Sequence, residues 1–140
     1  QLFTSLFRIR KIHKTYLAIV YGKVDKSIKI MKDDLIYYEN NKKISQKAIS
    51  NLKIIKSNES YSYLELNPIT GRKHQLRKQL LNIGYPIIGD DKYFLNNQKR
   101  LKIKNLMLHA YKIKFMINDV QYNFKAKFPN LFEDFIKKNI

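Results

Sequence analysis

Between residues 72 and 83 apolar side chains recur at i, i+4 and i+7, as Leu76, Leu80 and Ile83. That period predicts an amphipathic helix, and Gly84 stands where a glycine commonly ends one. Elsewhere the pattern is that of strands. Lys14 to Val20 reads as a buried strand rich in β-branched and aromatic residues. Tyr61, Tyr63, Leu64 and Leu66 mix alternation with continuous apolar character, as in a covered sheet. Strands are expected at about 12–24, 27–31, 47–56, 60–67, 106–117 and 120–127, with a polar loop through Asn40-Asn41-Lys42-Lys43. Asn118-Asp119 is a reasonable hairpin turn, residues 86–99 are turn-rich, and a last amphipathic helix begins near Pro129. The fold class predicted is α+β, a mainly antiparallel mixed sheet with packed helices.

No repeat or low-complexity linker divides the 140 residues, so one domain is expected. Charge changes the picture more. Twenty-eight Lys and Arg stand against 11 Asp and Glu, a net charge of +17. A polyanionic partner suits such a chain, and RNA held through its phosphates would be bound with marked salt dependence. There is no cysteine, which excludes disulfides, thiolate catalysis and thiolate metal sites. His13, His74 and His109 lack metal-ligand spacing, so no metal is expected. No apolar run is long enough to span a membrane, and a cytoplasmic monomer is the expectation.

The predicted helix opens on the turn Pro68-Ile69-Thr70-Gly71 with arginines close behind. If Thr70 caps it, Gly71, Arg72 and Lys73 lie on its first turn. Free N–H groups and fixed cations then face the same way, which suits a phosphate. The same run, TGRKHQLR followed by Gly84, Pro86 and Gly89-Asp90-Asp91-Lys92-Tyr93, resembles the TGRxHQLR…GDxxY signature of the RluA-type pseudouridine synthases. Four further segments resemble parts of that family: Lys14-Thr15-Tyr16-Leu17-Ala18-Ile19-Val20, Lys47-Ala48-Ile49-Ser50, Leu106-Met107-Leu108-His109-Ala110 and Phe124 to Pro129. The details lean towards the branch acting on large-subunit ribosomal RNA.

The resemblance implies an isomerase of uridine in RNA that needs no cofactor. It implies that Tyr16 lies against the target base and that Arg77 pairs with the catalytic aspartate. Leu108 would sit near the reactive base. Lys14, Arg72, Lys73 and His74 are candidates for RNA contact; Arg72 equally suits bracing the turn through carbonyls, and His74 holding the turn to the sheet. Asp90 and Asp91 match turn-forming positions, with Asp90 bonded to backbone. The family's aspartate motif, resembling HRLDxxTSG, does not occur in the chain, which starts at Gln1 a few residues before the Lys14 strand. The expectation is that residues 1–140 are the C-terminal part of a single catalytic domain, inactive alone. The alternative is an RNA-binding module without chemistry, which accounts for the charge but not for the ordered motif.

Overall fold

The computed structural model describes residues 9–140. Six strands, β1 (Ile9–Tyr21), β2 (Ile30–Glu39), β3 (Lys42–Ser57), β4 (Tyr61–Pro68), β5 (Leu108–Ile117) and β6 (Val120–Lys125), form one sheet. Two helices accompany it, α1 (Gln75–Asn82) and α2 (Asn130–Asn139). The strand order is β2-β3-β4-β1-β5-β6, and every ladder among the described strands is antiparallel.

β1 is central because its apolar run has both faces to cover. Leu17, Ala18, Ile19, Val20 and Tyr21 are all buried. In β4 the alternation is strict, with Ser62, Leu64 and Leu66 buried and the residues between them half-buried. Register puts Tyr16 opposite Leu66 and Leu66 opposite Leu52, so these share one face. α1 covers that face. The opposite face carries Tyr61, Tyr63 and His109, against which α2 sets Phe132 and Phe135; Tyr61 meets Phe135 edge-on at 5.1 Å.

Two expectations from sequence need correction. Residues 32–39, expected as loop, form most of β2. Only Met31 and Leu35 of that strand are fully buried, so no alternating apolar signal survives in an edge strand loaded with charge. Its hairpin turns at Asn40-Asn41, both at positive φ. The helix starts later than expected: α1 begins at Gln75, its N-cap is His74 in the left-handed region (φ 55°), and no side chain caps it. Thr70 instead donates to Gln75 Oε1 at 2.6 Å, and the same oxygen accepts the Arg72 N–H at 3.0 Å. The side chain of the first helical residue folds back to order the turn rather than to cap the helix, and Gly71, Arg72 and Lys73 lie in that turn before the helix.

The helix is held to the sheet by two buried glutamines one turn apart. Gln75 Nε2 donates to Ile49 O and Ser50 Oγ. Gln79 accepts from Ser50 Oγ at 2.6 Å and donates to the carbonyls of Met31 and Ala48. Buried polar groups left without partners are costly, and a shared network makes each loss felt by its neighbours. Gln79→Leu, which removes three bonds while keeping the volume close, is expected to lower stability by about 2–4 kcal/mol in a urea titration. A loss below about 1 kcal/mol would show that the network contributes little.

Candidate active site

Beneath the N-terminus of α1 lies a cavity of about 220 Å³. β1 supplies Lys14 and Tyr16, β5 supplies Leu108, and the turn and helix supply Thr70, Arg72, His74, Gln75, Leu76 and Arg77. Six of the seven residues singled out from sequence line it: Lys14, Tyr16, Arg72, His74, Arg77 and Leu108. Lys73 does not; it is exposed on the turn, and its carbonyl accepts the Tyr37 hydroxyl at 2.6 Å.

Local irregularities place these side chains. The β1–β5 register shifts between Thr15, opposite Lys112, and Tyr16, opposite Ala110. One extra residue, Tyr111, is thereby accommodated on β5, and such a bulge re-aims neighbouring side chains. Asn67 donates to Lys14 O and Thr15 Oγ1, both at 3.0 Å, pinning β1 just before Tyr16. The left-handed His74 turns the chain sharply into α1, a conformation that costs about 1–3 kcal/mol where the surroundings enforce it. The enforcing contact is with Tyr93, whose hydroxyl lies 2.9 Å from His74 Nδ1.

Arg77 is the most constrained cation in the site. Its Nε donates to Asp90 Oδ2 at 2.9 Å and one Nη to Oδ1 at 2.7 Å, while its plane lies 5.0 Å from the centre of the Tyr93 ring. Asp90 is fully buried and Arg77 17% exposed. Asp90 Oδ1 also accepts the N–H groups of Lys92 and Tyr93, the backbone role expected for it. Burial alone would push this carboxyl up. The hydrogen bonds from Arg77, Tyr93 and Lys92 outweigh it and hold the group below the usual carboxylate range. The same pairing raises Arg77. Burial, and then the surrounding cations Arg77, Lys92, Lys73 and Lys78, keep the His74 imidazole below its ordinary value. Two of the five guanidinium donors are spent on Asp90; the rest of the head group borders the cavity.

Arg72 takes the bracing role set out above. Its Nε donates to Lys47 O at 2.9 Å, bracing the turn, while the residue remains exposed at the cavity. Gln75, Asn67 and Tyr93 were not singled out from sequence. Gln75 and Gln79 fall at i and i+4 beside the leucine stripe, a signal that polar residues there face inward. No carboxylate lines the cavity among the described residues, and no group of three or more potential metal ligands occurs among them.

A family model described as RNA pseudouridylate synthase matches residues 1–82, and the chain belongs to that family. An uncharacterized RNA pseudouridine synthase of Helicobacter pylori (strain J99) is 31% identical over 95% of this chain and 52% of that protein. Ribosomal large subunit pseudouridine synthase C of Rickettsia felis is 35% identical over 91% of this chain and 45% of its own length. A tRNA pseudouridine synthase C of Haemophilus ducreyi is 34% identical, covering 82% and 56%. The chain thus spans about half the length of the curated relatives it matches. The solved structure of human RNA pseudouridylate synthase domain containing 1 superposes with a TM-score of 0.72 over 84% of this chain and 55% of that one, at 20% identity, and so shares the fold.

Proposed function

We propose that this chain is the later part of a pseudouridine synthase catalytic domain acting in the cytoplasm on large-subunit ribosomal RNA. The observation that carries the reading is the cavity itself, lined by an aromatic ring from β1 and a held guanidinium from α1, with no carboxylate among the described residues of its lining. The target uridine must leave its stack to be reached, which costs roughly a few kcal/mol, and stacking on Tyr16 offsets about 1–3 kcal/mol of that. The bond between N1 of the base and C1′ of the ribose breaks, the base turns, and C5 takes the place of N1 on C1′. C5 loses its proton and N1, freed of its bond to the ribose, takes one up, so the product is an isomer of the substrate and no outside reductant or group donor is needed. The reaction requires a carboxylate. Asp90 is unsuited to that part, since it is fully buried and engaged by Arg77 and two backbone N–H groups. Sequence beyond this chain supplies the carboxylate, and the remaining donors of Arg77 hold it ionised. Leu108 keeps the floor of the site apolar. Arg72 and Lys14 take phosphates at its mouth, with Lys73 on the outer turn. The names of relatives from Rickettsia felis and Borreliella burgdorferi support the large-subunit target.

Residues 1–140 alone are expected to bind a large-subunit RNA fragment and to form no pseudouridine. Affinity should fall by roughly a thousand-fold between about 50 and about 200 mM salt. Pseudouridine produced by the purified chain, detected by chemical mapping of the RNA, would overturn the assignment of the carboxylate to sequence outside it. Mapping of the product of the complete protein on a tRNA, and not on large-subunit RNA, would overturn the target.

A further inference from the structure

The β5–β6 hairpin carries a feature that the cavity does not use. Phe115 stacks on its cross-strand neighbour Tyr122 (centroids 5.5 Å apart, planes at 17°) and on its diagonal neighbour Phe124 (6.0 Å, 20°). The three rings form one short stack on the outermost hairpin of the sheet. Its end members are open to solvent, Phe124 at 57% and Tyr122 at 39% exposure. Large apolar rings left exposed together mark a binding surface more often than a bare surface. The two strands carry Lys112, Lys114 and Lys125 and no Asp or Glu, and these lysines alternate onto the face opposite the rings. The ammonium groups of Lys112 and Lys125 stand 5.4 and 5.3 Å from the Tyr111 ring.

This stack is continuous with the active cavity. A second cleft, of about 260 Å³, is lined by Lys14, Tyr16, Tyr111, Ile113, Phe124 and Ala126, among others. Lys14 and Tyr16 line both hollows, so the two adjoin at the ring proposed to meet the target base, and the second reaches the exposed ring of Phe124. Parallel aromatic faces with a lysine on the same side of the sheet are what single-stranded nucleic acid recognises: bases continue the ring stack and a phosphate meets Lys14, which lies opposite Ile113 on the ring face. A folded protein surface would meet the rings equally well, but Lys14 in the same cleft and the net charge of +17 favour a polyanion.

We propose that the β5–β6 hairpin is a stacking track for the single-stranded RNA flanking the target uridine, with Phe124 and Tyr122 as base platforms. This rests on the reading of the chain as an RNA-modifying enzyme fragment. The test uses residues 1–140, a short oligouridine and an abasic oligonucleotide of equal length. Phe124→Ala and Tyr122→Ala are each expected to weaken oligouridine binding by about ten-fold, while abasic binding, governed by phosphates, stays unchanged. Both positions lie on a fully exposed strand, and unchanged thermal melting checks that the fold persists. Because the chain has no Trp, Phe124→Trp places a single reporter on the track; its emission is quenched by oligouridine and not by the abasic strand. Wild-type binding with undiminished affinity in both alanine variants overturns the track and leaves the enzyme reading standing. Failure of the unaltered chain to bind any RNA at low salt overturns both.

Discussion

Arg77→Ala is expected to cost about 3–5 kcal/mol of stability, because it leaves the fully buried Asp90 carboxylate without its counter-charge. Loss of turnover in that variant would therefore say little about chemistry. Asp90→Asn is expected to cost about 2–4 kcal/mol. The amide oxygen still accepts the Lys92 and Tyr93 N–H groups and the Arg77 Nη–H, but the amide nitrogen takes the place of Oδ2 and opposes the Arg77 Nε–H, donor against donor. The double replacement Arg77→Met with Asp90→Asn removes the charge and its partner together, and buried ion pairs exchanged for neutral groups are often nearly silent. Its cost should fall short of the sum of the singles by about 2 kcal/mol or more, measured by urea denaturation. Additive costs would show that the pair is not coupled. In the complete protein, this better-folded double variant isolates the chemical role: RNA affinity should persist while turnover is lost. Near-normal turnover would remove Arg77 from the reaction.

The same pair sets a dependence on acid. The folded-state value of Asp90 lies below its unfolded value, so the pairing stabilises the protein fully above about pH 4 to 5. That contribution is lost as pH falls through the folded value. The urea midpoint of the unaltered chain should drop between about pH 5 and pH 3. The Asp90→Asn variant should drop less, by the share this one group contributes. The general repulsion of a strongly cationic chain is common to both proteins, so the difference between them reports Asp90. Parallel curves would rule out the pairing as the source.

How much of this was legible in the sequence can be judged residue by residue. The TGRKHQLR run located the helix and, through the resemblance, three side chains at the cavity, Arg72, His74 and Arg77; the segments around Lys14 and Leu108 supplied the other three, Lys14, Tyr16 and Leu108. β1 and β4 were visible because they are central and apolar, and central strands declare themselves by burial on both faces. β2 was not, because an edge strand needs only two anchoring apolar residues, Met31 and Leu35, and its charged remainder reads as loop. The start of α1 was misjudged for a different reason. Thr70 is a good capping residue by type, but Gln75 competes for it, and that competition exists only once β3 brings Ile49 and Ser50 alongside. The pairing of Arg77 with Asp90 joins residues 13 apart through the turn-rich segment, and no periodicity reports such a contact. Local rules identify elements; the functional side chains are set by long-range contacts that override those rules at the places where the backbone is least ordinary.

Gly89→Ala is expected to be the most damaging single substitution outside the charged pair, although it adds one methyl group far from any reacting atom. Two independent obstacles meet there. Gly89 sits at φ 84°, where side chains are strained, and a Cβ at this position would overlap the carbonyl oxygen of Asn105 and crowd Leu106 Cα. The second is decisive, because the obstacle is backbone held on both sides. Residues 86–88 run between the end of β1 and residue 107, with Tyr21 N–H donating to Pro86 O, Ile88 N–H to Ile19 O and Met107 N–H to Ile88 O. Neither wall can retreat without breaking these bonds. Gly84, also at positive φ, has open space around it, so Gly84→Ala meets only the conformational penalty of about 1 kcal/mol. Gly89→Ala should cost more than about 4 kcal/mol. The strain would reach the site directly, since Gly89 precedes Asp90 and thus sets the carboxylate that orients Arg77. Comparing the two alanine variants by urea denaturation separates the effects: equal, small losses would mean that the close approach of Gly89 to Asn105 is not a constraint on the fold.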